Sequence, residues 1–217
     1  MKFDFQRRGL LCVVSGPAGS GKTTLCRAFS DADSSATYAV SATTRPPRTG
    51  EKDGKDYHFL TREAFQAKAT RGEFLEFAEV HGRFCGTLKD EVIEHIRAGR
   101  DVLMDIDVQG AQFIRKSIDP LIQEALVDIF ILPRSEEELV ERLNNRGTEG
   151  QEELDLRLRN ARKEMKHWAE YSYTVISGTK EVDFEIFSSI IAGERCRSHR
   201  LVPETDGSDE EQQEFGI

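Results

Sequence analysis

Residues 16–23 read Gly-Pro-Ala-Gly-Ser-Gly-Lys-Thr and fill every fixed position of the pattern G-x-x-x-x-G-K-[ST]. The preceding run, Leu10 to Val14, is apolar enough for a buried strand, and Thr23 to Phe29 reads as a helix. This strand–glycine turn–helix order makes a phosphate cradle. Glycines let consecutive backbone N–H groups turn toward phosphate oxygens, and the helix N-terminus adds partial positive charge. Lys22 supplies a full charge to the β and γ phosphates, and the Thr23 hydroxyl can ligate magnesium. The expected nucleotide-binding residues are therefore Gly16, Pro17, Ala18, Gly19, Ser20, Gly21, Lys22, Thr23 and Thr24, with Mg2+ accompanying the nucleotide and Lys22 in a catalytic role. GTPases, ATPases and nucleoside monophosphate kinases all use such a loop, so it specifies a ligand and leaves the reaction open.

The rest of the chain alternates apolar runs with amphipathic stretches, the pattern of an α/β domain. Val102–Ile106, Val127–Leu132 and Tyr173–Ile176 are continuous apolar runs, as in strands of a parallel sheet buried on both faces. Ser135 with Glu138 predicts a capping box. Leu154, Leu158, Ala161, Met165 and Trp168 predict one long amphipathic helix, and Ile186, Phe187, Ile190 and Ile191 a last helix packed on the sheet. Residues 43–86, rich in charge, Gly and Pro, predict an inserted subdomain. Residues 144–153, polar and glycine-containing between two helices, predict a mobile lid. The expected organisation is one domain over residues 8–199. Its phosphate-loop parallel-sheet core, flanked by helices, takes 8–40, 88–134 and 158–199; the insertion takes 41–87 and the lid 135–157. An acidic tail without fixed structure follows over 200–217.

Composition narrows the class further. A chain of 217 residues buries roughly 70% of its unfolded surface and needs no disulfide or structural metal for stability. Its four cysteines make no CxxC pair and no zinc spacing. No apolar stretch approaches the ~20 residues of a membrane span, and charges at Lys2, Asp4, Arg7 and Arg8 fall where a secretion signal would be apolar. A cytoplasmic location without a membrane partner is the expectation. The net charge of −9 is concentrated: residues 203–217 carry six acids and no base, which leaves −3 for the rest. A basic face for gripping nucleic acid is not expected.

Between the strands lies the chemistry that narrows the reaction. Arg45 and Arg48, three apart beside stiffening prolines, suit a dianionic phosphate, and Tyr57 can add a hydroxyl. The segments S-A-T-T-R-P-P-R-T-G-E (41–51), G-K-D-Y-H-F (54–59), E-F-L-E-F (73–77), L-M-D-I-D-V-Q-G (103–110) and R-G-T-E (146–149) occur in an order that resembles guanylate kinases, over roughly Leu10 to Ile191. The resemblance implies transfer of the γ-phosphoryl of ATP to GMP, and to dGMP. It implies GMP contacts at Ser41, Arg45, Arg48, Glu51, Tyr57, Glu76, Gly86, Thr87, Asp105 and Asp107. Guanine offers N1–H and N2–H2 donors, so a carboxylate at Glu76 and hydroxyls at Ser41 and Thr87 suit it, whereas adenine would turn its N1 lone pair on the same carboxylate. Of Asp105 and Asp107, which end the strand at 102–106, one would order magnesium's water and the other face the guanine; both assignments stay open.

The resemblance also implies catalytic roles for Arg146 and Arg157, arginines that close on two anionic nucleotides, together with Lys22 and Arg48. The chain departs from the family at two places. Cys85 stands where a tyrosine usually reaches the GMP phosphate, and Ser177-Gly178 stands where Asn-Asp usually lies near adenine. The alternative reading is a catalytically silent guanylate-kinase-like module that binds phosphopeptides. Such modules usually lose the loop lysine or its glycines, which this chain keeps.

Overall fold

The computed structural model describes residues 4–80, 82–144 and 151–203. Its strands are β1 (Phe5–Arg7), β2 (Leu11–Ser15), β3 (Ala36–Tyr38), β4 (Ser41–Thr43), β5 (His58–Phe59), β6 (Phe74–Val80), β7 (Arg83–Leu88), β8 (Asp101–Asp105), β9 (Leu126–Leu132), β10 (Tyr173–Ile176) and β11 (Leu201–Pro203). The helices are α1 (Lys22–Ala32), α2 (Arg62–Thr70), α3 (Lys89–Arg97), α4 (Val108–Arg115), α5 (Pro120–Ala125), α6 (Glu136–Asn144), α7 (Gln151–Met165) and α8 (Lys180–Arg195).

Five strands form a parallel sheet in the order β10-β9-β2-β8-β3. Its centre, Leu11-Cys-Val-Val-Ser15, is buried throughout, and alternate residues feed two different cores. Leu11 and Val13 join Val102, Met104 and Phe130 against α3, α4 and α5, while Cys12 and Val14 join Leu103, Ile129 and Ile131 against α1 and α8. Helices on both faces explain why the strands are continuously apolar instead of alternating. Because the strands run the same way, Ser15, Asp105 and Ile176 finish on one edge, where the chain enters the glycine loop, α4 and α8.

Residues 41–88 build a second, four-stranded sheet, β5-β4-β7-β6. One face is aromatic: Phe65 of α2 stacks on Phe74 and Phe84 at centroid distances of 4.2 and 5.3 Å and meets Phe77 edge-on. The other face carries Ser41, Thr43, Cys85, Thr87 and Glu76. A bulge between Phe74 and Glu76 breaks the alternation of β6 and turns Glu76 onto that polar face.

The amino-terminal edge of the parallel sheet is held by charge. Asp101, fully buried, accepts from Leu10 N at 2.9 Å, Arg7 Nη1 at 2.5 Å and Arg195 Nε at 2.7 Å, and Arg195 continues to Asp33. The expectation of a tail without fixed structure from residue 200 does not hold for its first residues. Ser198–Arg200 forms a 3-10 turn, and β11 pairs antiparallel with β1, Phe5 opposite Pro203. The physical reason is Arg200: nearly buried, it pairs with Glu194 at 2.8 Å and donates to Glu124 O at 2.5 Å, so a polar anchor fixes a segment poor in apolar residues. Residues 204–217 lie outside the described residues.

Two helix expectations need correction. The run to Trp168 is interrupted: α7 ends at Met165, and Trp168, 49% exposed, opens a separate 3-10 turn. In α8, Phe187 and Ile191 are fully buried but Ile186 faces outward. The cap of α6 does form on one side, with Ser135 Oγ accepting from Glu138 N at 3.2 Å, while the Glu138 carboxylate takes Arg134 N instead of closing the box. Ser135→Ala should cost about 1 kcal/mol and lower the melting temperature by about 2–4 °C. Calorimetry would check this, and an unchanged melting temperature would show that the cap contributes nothing.

Candidate functional site

The glycine loop at the end of β2 is shaped by close approaches. At Gly16, φ is 148°, and a Cβ would lie 2.4 Å from Ile131 O on the neighbouring strand, so any side chain there would force β2 and β9 apart. Gly21, at φ 92°, caps α1 in a left-handed conformation. Lys22 Nζ folds back onto the loop, donating to Gly16 O at 2.6 Å and Pro17 O at 3.0 Å. The ammonium is thus already held over the cradle by carbonyls that an anion would displace.

Thr23 faces the end of β8. Its hydroxyl donates to Asp105 Oδ2, and Tyr38 of β3 donates to Asp105 Oδ1. Burial, with Asp105 close by, keeps the Tyr38 phenol well above its ordinary range and therefore protonated. Tyr38 is a partner that sequence reading missed. The strand β3 has only three residues, and nothing local marks its tyrosine as lying beside an aspartate 67 residues away. A hydroxyl and a carboxylate at the foot of a phosphate loop are hard oxygen donors, the set that suits Mg2+ bound mainly by phosphates and water. The residues present fit that ion. Among the described residues, no group of three or more His, Cys, Asp or Glu could hold a metal alone.

Asp107 sits elsewhere. Its Oδ1 caps α4, accepting from Gly110 N at 2.8 Å. A Cβ at Gly110 would lie 3.5 Å from both Asp107 Oδ1 and Glu76 Oε2, so the two carboxylates flank that glycine. Glu76 is 8% exposed and accepts from Thr87 Oγ1 at 2.9 Å. Register puts Thr87 opposite both Ser41 and Glu76, so two hydroxyls and a carboxylate from three strands make one row. Desolvation, reinforced by the Asp107 charge, pushes the Glu76 carboxyl up to about 7. Gly86, expected at the ligand, is required by packing: a Cβ there would lie 2.6 Å from Glu76 O and Phe77 Cβ.

Further along the same face, Arg45 forks onto Glu51 with two hydrogen bonds of 2.6 Å and lies over the rings of Tyr57, at 4.7 Å, and Phe59, at 5.6 Å. Glu51 also accepts from Arg48 N at 2.7 Å, and these donors hold its carboxyl down to about 2. Glu51 therefore fixes the turn that presents both arginines, while the Arg48 side chain is exposed. Cys85 lies between the two groups: burial pushes its thiol up to about 11, with the Glu76 charge adding to the shift and the Arg45 charge opposing it.

On the other side of the glycine loop, Leu143 of α6 packs below Gly19, and Leu139, Leu143 and Ala161 join α6 to α7. Arg157 is half-buried on α7. Arg146, with Gly147, Thr148 and Glu149, lies outside the described residues.

Residues 8–191 match the family model described as guanylate kinase. The chain belongs to the guanylate kinase family. It is 44% identical over 196 residues to the guanylate kinase of Paramagnetospirillum magneticum, with 90% of each chain covered. To that of Dechloromonas aromatica it is 47% identical over 169 residues, 78% of this chain and 81% of the relative. Among solved structures, the guanylate kinase of Anaplasma phagocytophilum matches with a TM-score of 0.72 and 32% identity, covering 92% of this chain and 93% of that one. As a guanylate kinase family member the chain is a nucleotide-binding transferase of the kinase class. Among the described residues no helix is long and apolar enough to cross a membrane.

Proposed function

We propose that this chain transfers the γ-phosphoryl group of ATP to GMP, and to dGMP, giving ADP and GDP. The observation that carries the reading is the row Ser41–Thr87–Glu76, a nearly buried carboxylate braced by a hydroxyl and turned onto the polar face of the second sheet. Burying a carboxylate costs several kcal/mol unless a partner recovers it, and guanine's N1–H and N2–H2 are the donors it lacks. Adenine would leave it facing a lone pair.

At the other end of the same face, Arg45, Arg48 and Tyr57 hold the GMP phosphate, and Glu51 orients Arg45 instead of contacting the anion. Lys22 leaves the carbonyls of Gly16 and Pro17 for the β and γ phosphates. Thr23 and Asp105 would hold magnesium, which when bound neutralises charge on those phosphates. Asp107, already capping α4, belongs to the guanine side. The separation of the two aspartates supports distinct roles that their spacing in sequence left open. Arg146 and Arg157 add positive charge around the transferring group and exclude water. A protein general base is unnecessary, because the acceptor is a phosphate oxygen. Coupled ADP release measured with GMP, dGMP, AMP, CMP and UMP tests the proposal: turnover with GMP and dGMP is expected, and absence of GMP-dependent turnover overturns it in favour of a silent binding module.

Cys85 gives a further expected result. A thiol is a weak donor, and at this position, half-buried between Glu76 and Arg45, it adds little to phosphate binding. Cys85→Tyr should lower the KM for GMP about three- to tenfold, less than the full 1.5–3 kcal/mol of a hydrogen bond to a charged group because water recovers part of it, and leave that for ATP unchanged. Steady-state kinetics and a melting curve check it. A raised KM for GMP with a lower melting temperature would mean that the phenol overpacks the strand face.

A further inference from the structure

Tyr38, on the three-residue edge strand β3, is brought by backbone register beside a carboxylate at the nucleotide edge. It stands opposite Leu103 of β8, and Leu103 and Asp105, two residues apart, point to the same face of the sheet. On that face Tyr38 packs against the core that holds Leu25, Cys26 and Leu103. Helix α1 reaches the same place twice. The Arg27 guanidinium lies 5.0 Å from the Tyr38 ring centroid, and Thr23, four residues earlier on the same helix face, donates to Asp105 Oδ2. The Tyr38 hydroxyl donates to Oδ1 of that carboxylate. Three elements, α1, β3 and β8, thus meet at Asp105, and each of its oxygens accepts from a hydroxyl.

The last torsion of an aspartate is broad and roughly two-fold, so a carboxylate tethered at one oxygen still swings. Tethered at both, it cannot turn without breaking a bond at each. The apolar packing of Tyr38 would be met as well by phenylalanine; what the phenol adds is the second tether. Groups behind a metal's ligands hold those ligands in orientation, and losing one typically costs about 10–100-fold in metal affinity. Thr23 and Asp105 are the oxygen donors assigned above to Mg2+, so the inference rests on that reading for the placement of the ion.

We propose that Tyr38 is a positioning residue for the nucleotide's metal ion and acts through Asp105: its hydroxyl locks the carboxylate so that Oδ2 stays turned on Thr23. The test is Tyr38→Phe in the full chain, which removes one oxygen and leaves the ring beside Arg27. With protein in excess over ADP, so that the nucleotide is held by the enzyme, Mn2+ is titrated and the free ion is read by electron paramagnetic resonance. The expected result is a dissociation constant for Mn2+ about tenfold higher than in the parent, with metal-free ADP affinity, measured by calorimetry, within about twofold. In an Asp105→Asn background the same substitution should change Mn2+ binding by less than about twofold. An unchanged Mn2+ constant in Tyr38→Phe overturns the inference, and so does a tenfold loss that persists in the Asp105→Asn background. Equal losses of Mn2+ and of metal-free ADP binding overturn it too, because they mean a disturbed loop. A parent that holds no Mn2+ with ADP removes the placement of the metal and the inference with it. None of these measurements needs turnover, so the first three failures leave the phosphotransfer reading standing; that reading falls separately, if GMP brings about no ADP release.

Discussion

Lys22→Ala should fold normally and lose about a thousandfold or more in kcat, with little change in the KM for GMP. In the ligand-free protein the ammonium rests on two loop carbonyls, Gly16 O and Pro17 O, and Lys22 belongs to neither hydrophobic core, so its removal leaves both cores untouched. During transfer, by contrast, it faces charge developing on the phosphoryl oxygens. Single preorganised donors of this kind are worth about 10²–10³ in rate, and cationic side chains at a transferring phosphoryl group about 10³–10⁵. Melting curves establish the fold and steady-state kinetics the loss. A folded variant that kept more than a tenth of the activity would show that Lys22 is not the catalytic charge.

The second large effect concerns Glu76→Gln, which should raise the KM for GMP by about 30- to 100-fold and leave that for ATP nearly unchanged. Gln keeps an acceptor for Thr87 but turns an N–H2 toward guanine's donors, and a hydrogen bond to a charged group is worth about 1.5–3 kcal/mol. The same substitution has an opposite effect on the free protein. The Glu76 carboxyl titrates near 7 in the folded state because burial disfavours its charge, against an ordinary value near 4.5. Its contribution to stability is therefore complete below about pH 4.5, is lost as pH rises toward 7, and stays lost above. The loss amounts to up to about 3 kcal/mol at pH 8. Glu76→Gln should accordingly melt several degrees higher than the parent at pH 8 and show no such gain at pH 4.5. Equal rises in both Michaelis constants would remove Glu76 from the guanine pocket; a stability difference independent of pH would mean that its burial carries no charge penalty.

These two positions mark how far sequence reading reached. The loop around Lys22 was legible because its chemistry is local: eight consecutive residues carry the glycines, the charge and the hydroxyl that one anion demands. The central strands were legible because burial on both faces leaves unbroken apolar runs. Glu76 needed the family resemblance, since the bulge in β6 removes the alternation that would have marked a strand, and its row with Thr87 and Ser41 is assembled from three strands. Tyr38 and Asp183 were missed for related reasons. Tyr38 lies on a three-residue strand, and Asp183 occupies the buried face of an amphipathic helix, where a carboxylate is the only hint that a loop nearby needs an acceptor. The segment from 200 to 203 reads as tail in the sequence because its order comes from Arg200 and from pairing with residues almost two hundred positions away. No periodicity encodes such a contact.

That pairing has a topological consequence. Phe5 stands directly across from Pro203, at the amino-terminal edge of the parallel strands and opposite the phosphate loop. Antiparallel partners are only about 5 Å apart between Cα atoms, so a linker of a few residues could join position 203 to position 5 and close this backbone into a ring. Ring closure removes chain entropy from the unfolded ensemble while leaving the nucleotide edge as it is. The protein is by this feature a natural scaffold for circular permutation, with new ends opened at an exposed turn such as the one around Gly54.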